Sequence, residues 1–177
     1  MRMNEISATL ALYFHLCNLQ VLLERSACLQ CLLIRGPSGT RLVPKALVNV
    51  REGSRAHIYD SAVEGGRWEA AVAVRGTGSM LKAANTSMHS QWGSGLLVAQ
   101  GGQAVLKGCR SDGCEGGGWV MRDCGSNLTA FDSSSRSKVS ENAYIHGGAT
   151  AYFVRCSLVI SRGHGLLAHD SGTFVAA

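Results

Sequence analysis

The chain has 177 residues and a formal net charge of +5, with 17 lysines and arginines against 12 acids. One domain is the expectation at this length. The basic residues, Arg2, Arg25, Arg35, Arg41, Arg51, Arg55, Arg67 and Arg75 among them, form no adjacent run, which argues against nucleic acid as a partner.

In chain order, the first element is apolar. Ile6, Leu10, Tyr13, Phe14, Cys17 and Val21 fall at helical spacing, and Leu12, Leu16, Leu19, Leu22 and Leu23 widen the apolar surface beyond one stripe. The pattern predicts a buried helix over residues 6 to 24, inside an N-terminal segment of residues 1 to 40. Two other readings stay open. A signal peptide would start at Arg2 and use residues 8 to 14, against Glu5 and the lack of a clean cleavage site. A membrane anchor is disfavoured, because Glu5, His15, Asn18, Gln20, Glu24 and Arg25 break the apolar run. Cys28 and Cys31 form a CxxC, but no second pair follows and Leu29, Leu32 and Leu33 surround it, so buried thiols fit better than a metal or redox site.

Composition then shifts near residue 50: of 22 glycines all but Gly36 and Gly39 lie from Gly53 onward, whereas Pro37 and Pro44 lie before it. A glycine returns every 23 to 25 residues, at Gly53, Gly78, Gly101 or Gly102, Gly125, Gly148 and Gly172. Self-similarity at that period means stacked repeats. Aligned on those glycines, Ala56, Leu81, Ala104, Leu128 and Ala151 form one column and Ile58, Ala83, Leu106, Ala130 and Phe153 another two places on, the mark of strands with one face inward. Three residues further stands a small-polar column of Ser61, Thr86, Cys109, Ser133 and Cys156, preceded by Asp60, Asn85 or Asp132 in three repeats. A second apolar run closes each unit: Val72 to Val74, Leu96 to Val98, Trp119 to Met121, Ala143 to Ile145 and Leu166 to Ala168. Two short strands and two turns fill such a unit, with no space for an ordinary helix.

The lines Gly125-Ser-Asn-Leu-Thr-Ala-Phe-Asp-Ser133 and Gly163-His-Gly-Leu-Leu-Ala-His-Asp-Ser-Gly172 carry a resemblance to the right-handed parallel β-helix repeats of the pectate-lyase-like superfamily. The resemblance covers about residues 53 to 177 and implies an all-β, right-handed parallel β-helix of about five coils over residues 41 to 177. The N-terminal helix would then cap its open end, where apolar core and unpaired strand edges are otherwise exposed. Gly172-Thr-Phe-Val-Ala-Ala177 places Val175 and Ala177 in the inward columns of another coil, so this end reads as a fragment of a longer β-helix or as an edge for end-to-end contact.

Of the remaining cysteines, Cys109 and Cys156 sit two coils apart, roughly 10 Å, too far to bond, while Cys114 and Cys124 lie in or next to turns where they can pair, although an odd total of seven and no regular spacing argue against a disulfide framework. The stretch Asp132-Ser-Ser-Ser-Arg-Ser-Lys138 reads as a low-complexity, flexible loop. Asn85 and Asn127 begin N-x-Ser/Thr tripeptides, which favour secretion only if used.

Candidate chemistry lies at the ends of the second apolar runs. Arg75, Gln100, Arg122 with Asp123, His146, and His169 with Asp170 recur at matching places and line up along one long face. In the superfamily that the chain resembles, such faces bind extended polysaccharides. Gly163-His164-Gly165 is similar to the Gly-His-Gly of polygalacturonases, but the paired aspartates of that family are replaced by Ser140-Glu141-Asn142. A pectate-lyase site would need a calcium-binding acidic cluster, and none is present in the sequence. Asp123 and Asp170, two coils apart, would stand about 9 to 10 Å from each other, the outer limit for an inverting pair. The expectation is therefore a non-catalytic binding or scaffold module for a glycan or protein, without metal or cofactor, with Arg75, Arg122, Asp123, His146, His164, His169 and Asp170 as its ligand-face candidates. The alternative is a polysaccharide lyase or glycoside hydrolase, or a piece of one.

Overall fold

The computed structural model describes residues 46–65, 69–159 and 162–170, together with flanking strands at Ser7–Thr9, Tyr13–His15, Val21–Leu23, Ser26–Gln30, Leu33–Arg35 and Phe174–Ala176. It is an all-β parallel solenoid of about five coils, and no helix occurs among the described residues. Each full coil contributes one strand to each of three sheets. The first sheet stacks Arg55–Tyr59, Met80–Ala84, Gln103–Lys107, Asn127–Phe131 and Thr150–Val154. The second stacks Ala62–Gly65, Ser87–Ser90, Arg110–Cys114, Ser134–Ser137 and Ser157–Leu158, and the third Ala46–Val50, Ala70–Arg75, Ser94–Ala99, Trp119–Met121, Ala143–Ile145 and Leu166–Ala168. All the pairings are parallel.

Both apolar columns of the first sheet stack in the expected register: Ala56, Leu81, Ala104, Leu128 and Ala151 lie side by side, as do Ile58, Ala83, Leu106, Ala130 and Phe153. All ten are buried in one core with Val72, Val74, Leu96, Val98, Trp119, Met121 and Ile145 from the third sheet. Burying a side chain of Leu or Ile size contributes about 1.5 to 3 kcal/mol, and a solenoid supplies that gain coil by coil rather than in one centre.

At the corner after the first sheet, Asp60, Asn85, Gly108, Asp132 and Arg155 all take positive φ, between 47° and 61°. That conformation turns the chain sharply, and Asn, Asp and Gly tolerate it best. The next residue turns its side chain back to cap the strand just ended. Ser61 donates to the Tyr59 carbonyl (2.6 Å), Thr86 to Ala84 (2.9 Å) and Ser133 to Phe131 (2.7 Å), while the thiols of Cys109 and Cys156 sit on the Lys107 (3.6 Å) and Val154 (3.5 Å) carbonyls. The small-polar column is thus a stacked ladder of hydroxyls and thiols, in which Ser133 also accepts from the Cys109 N–H at 3.0 Å.

Three expectations need correction. First, each coil has three strands, not two. The second sheet escapes a search for apolar periodicity because serine takes several of its inward positions beside Val63, Met88 and Cys114: Ser90, Ser111, Ser135 and Ser137 are fully buried. Their hydroxyls bond backbone carbonyls, Ser111 to Gly118 (3.2 Å), Ser135 to Asn142 (2.7 Å) and Ser137 to Cys114 (2.8 Å). A side chain on Gly118 would collide with this arrangement, its Cβ falling 1.6 Å from Ser135 Oγ. Second, the serine-rich stretch after Asp132 is no flexible loop, since Ser134–Ser137 is a paired strand of that sheet. Third, in the stretch from 6 to 24 the described residues are strands, not helix. Ser7–Thr9, Tyr13–His15 and Val21–Leu23 pair in parallel with Ser26–Gln30, Leu33–Arg35 and Ala46–Val50, and the rest of that stretch lies outside the described residues. The neighbouring coil offers an open row of backbone donors and acceptors, and an all-round apolar sequence satisfies a strand as well as a helix. Cys31 of the CxxC, Val175 and Ala177 likewise fall where no side chain is described. Cys114 and Cys124 do not pair: both are free thiols, one buried and one exposed.

Candidate functional site

The site lies on the outside of the third sheet. Strand residues alternate faces, so with Val72, Val74, Leu96, Val98, Trp119 and Met121 in the core, Ala73, Leu97, Val120 and Tyr144 share an outward column. Part of that outer face is itself dry: Ala46, Ala70, Ala73, Leu97 and Ala99 make a second buried apolar cluster, with Val120 packed against it. The next outward column holds the predicted chemistry. Arg75 is in register with Ala99, and Arg122, His146 and His169 follow, their N–H groups bonded to the Val98, Met121 and Ile145 carbonyls of the preceding coils. The expected series is correct except in one coil, where Ala99 and not Gln100 occupies the column.

A groove of about 660 Å³ crosses four coils here, lined by Glu69, Trp92, Ser94, Leu97, Val120, Arg122, Tyr144 and His146 with Gly93 and Gly116. Four strands stacked at about 4.8 Å give it a run of roughly 14 Å. Trp92 is 52 % exposed on its rim. Glu69 accepts from Arg75 Nη2 at 2.7 Å and from Arg122 Nη2 at 3.1 Å, so the single carboxylate of the lining is held between two guanidiniums. Burial lowers the pKa of Arg75 from the ordinary guanidinium value, Glu69 opposing and Arg122 adding to the effect; a guanidinium stays charged at any working pH regardless.

At one end of the groove the aromatic rings gather. Tyr144 stacks on His146 with centroids 4.7 Å apart, and His146 stacks on His169 at 5.5 Å with only 15° between planes. Tyr144 Oη lies 2.6 Å from His169 Nε2, and His169 Nδ1 lies 2.7 Å from Asp170 Oδ1. His146 Nδ1 stands 3.9 Å from the other oxygen of Asp170. The His169 contact, helped by the Gly147 N–H at 3.2 Å, holds the Asp170 carboxyl below the usual carboxylate range.

The structure sorts the seven candidates. Arg122 and His146 line the groove, His169 and Asp170 support its aromatic end, and Arg75 lies behind Glu69. Asp123 does something else. It sits at φ 73° in the turn after the third sheet, and its Oδ2 accepts the Gln100 N–H of the coil before at 3.1 Å, a turn-to-turn cap. Asp170 repeats that cap on Gly147 at φ 76°. His164 lies at the corner preceding the third sheet, 70 % exposed, with Nδ1 3.7 Å from Glu141 Oε1, and does not line the groove. A hydrogen bond from Ser140, with His164 adding to it, holds Glu141 below the usual carboxylate range. Among the described residues no three of His, Cys, Asp and Glu gather as a metal-binding group.

Sequence reasoning missed Glu69, Trp92 and Tyr144. Tyr144 was hidden as the middle residue of an apolar strand, although its position between inward Ala143 and Ile145 marks it as outward. Trp92 sits between Ser90 and Ser94, in the link from the second sheet to the third, and could be placed only once the second sheet was recognised. No family model, curated protein or solved structure matches this chain.

Proposed function

We propose that this chain is a non-catalytic binding module whose groove takes an extended acidic glycan. The observation that carries the reading is the groove's lining: Trp92 and Tyr144 offer flat apolar faces, Arg122 and His146 offer donors for a carboxylate, and all four lie along one open run over successive coils. An apolar floor with a few placed polar groups is the usual make-up of a ligand site. Arginine suits a carboxylate because its planar fork matches the two oxygens. Cleavage by acid and base needs two suitably spaced carboxyl groups, whereas the one carboxylate in this lining, Glu69, is engaged by Arg75 and Arg122. The reading takes the coil as right-handed, the hand of nearly all parallel crossover connections, and takes its ligand class from the resemblance to pectate-lyase-like β-helices.

The test is calorimetric titration with oligogalacturonates, neutral cello-oligosaccharides serving as the control. We expect binding of the acidic series only, weakened on the order of tenfold or more by Trp92→Ala and by Arg122→Ala. Absence of binding to any acidic glycan would overturn the proposal. Chain cleavage of polygalacturonate by the purified protein would replace it with the lyase or hydrolase reading, and capture of a protein partner on the same face, lost in both variants, would replace the glycan.

A further inference from the structure

We propose that Tyr144, His146 and His169 form a carboxylate subsite at the end of the groove, and that filling it takes up a proton. This rests on the acidic-glycan reading above. It starts from two hydrogen-bond partners of His169, Asp170 and Tyr144. Asp170 is a carboxylate 2.7 Å from Nδ1 and can only accept, so Nδ1 carries the hydrogen. In the neutral ring Nε2 is then a lone pair, and the Tyr144 hydroxyl 2.6 Å away must donate to it. In that state Tyr144 turns only oxygen lone pairs toward the groove that it lines, and these repel a carboxylate.

Protonation of His169 reverses the hydrogen bond. Nε2–H now donates to Tyr144 Oη, and the hydroxyl hydrogen is free to swing to an acceptor in the groove. The charges facing the cluster favour the same coupling. On the same sheet stand Arg122 and, two column members further beyond Ala99, Arg75; Glu69 lies against both, Asp170 follows His169, and Asp123 caps the turn beside Arg122. Two guanidiniums against Glu69, Asp170 and Asp123 leave the surroundings one positive charge short before a carboxylate arrives. One imidazolium makes up that deficit, and His146, stacked on both rings with Nδ1 3.9 Å from Asp170, shares that carboxylate. An anion held there in turn favours the protonated ring, so binding and proton uptake strengthen each other reciprocally.

The experiment is titration of the full chain with trigalacturonate between about pH 5.5 and 8, a range in which the ligand's carboxylates stay ionised. At about pH 7 it is repeated in buffers of different ionisation heat, which counts protons taken up. We expect affinity to rise on the order of tenfold toward the acid end, within the usual span of coupled sites, with uptake reaching about half a proton, as linkage requires for a tenfold change. Tyr144→Phe, which keeps the ring and removes the hydroxyl, is expected to bind with much less pH dependence, and His169→Gln likewise. Wild-type binding that is equally tight across the range with no proton uptake overturns the subsite while leaving the groove reading intact. Unchanged proton uptake in a folded Tyr144→Phe protein also overturns it. No binding at any pH sinks the groove reading and the subsite together.

Discussion

The corner after the first sheet and the outer edge of the third sheet are equally regular in backbone and opposite in chemistry. At the corner every coil repeats a positive-φ residue followed by Ser, Thr or Cys, each capping a carbonyl two residues back. At the edge the stacked positions read Arg75, Ala99, Arg122, His146 and His169, three residue types of unlike charge and size over five coils. The corner's residue types answer a demand of the backbone: a left-handed turn and an orphan carbonyl admit few side chains. The outward edge column makes no such demand on the backbone, although Ala99 within it is buried against its neighbours. Repetition therefore marks where the fold chooses the residue, and a break in repetition on a repeated backbone marks where something else does.

Two tryptophans separate these roles most sharply. Trp119 is fully buried, stacked on Phe153 at 5.9 Å, directly beneath the groove strands. Trp119→Ala is expected to lower unfolding free energy by about 4 kcal/mol, in the range for an aromatic removed from a core. Trp92→Ala, on the rim, should shift stability by no more than about 0.5 kcal/mol while abolishing most glycan binding. Denaturant melts of both variants check this, and comparable losses from the two would break the division between core and groove.

The corner and the edge should differ in the same direction. Ser133 is buried and makes two bonds, accepting from Cys109 N–H and donating to Phe131. Ser133→Ala leaves that N–H without a partner away from water, at an expected cost of about 2 kcal/mol. His169→Ala at the exposed edge should cost about 0.5 kcal/mol or less, while it removes the proton linkage of binding. A stability loss at His169 as large as that at Ser133 would make the edge cluster structural.

How much of this was legible follows from the same contrast. The first-sheet columns and the small-polar ladder were readable because one face of each strand is apolar, and because a corner admits few residue types. The third-sheet strands were readable as runs, Val72 to Val74 through Leu166 to Ala168. Their outward members were not sorted, because Ala73, Leu97 and Ala99 are buried on the outer face as well and show no alternation. The second sheet was lost for a different reason: Ser111, Ser135 and Ser137 are interior yet polar, satisfied by backbone carbonyls of their own coil or the one before, and hydropathy assigns such residues to solvent. With that sheet went Trp92 and the groove. Asp123 and Asp170 were visible as recurring acids, but only the stacked turns show that each carboxylate caps an N–H of the coil before. Residues 6 to 24 carried apolar surface on every side, which does not distinguish a helix from three short strands pairing onto a waiting edge.

The smallest effect tests the corner against the edge by pH. Asp132 at the corner is bonded by Arg155 through Nε at 2.6 Å and Nη2 at 2.9 Å, and those bonds hold its carboxyl below the usual carboxylate range. Asp170 at the edge is lowered chiefly by His169. A lowered folded value means that the stabilisation is present above the unfolded value, near 3.9 for aspartate, and is lost as pH falls through the folded one. Both groups are exposed at the surface, so the change in unfolding midpoint should be slight and confined to pH below about 4. The partners differ in kind, because a guanidinium keeps its charge throughout while an imidazole can lose its own. Carboxyl NMR titrations should show the Asp132 value rising in Arg155→Ala and the Asp170 value rising in His169→Gln. Added trigalacturonate should leave Asp132 unmoved and raise Asp170, since an imidazole is already charged where Asp170 titrates and the bound carboxylate repels the charge on Asp170. An Asp132 that titrates like a free aspartate in the wild type would show that the corner ion pair does not form in solution. An Asp170 indifferent to the ligand would leave Asp170 as the turn cap on Gly147 alone.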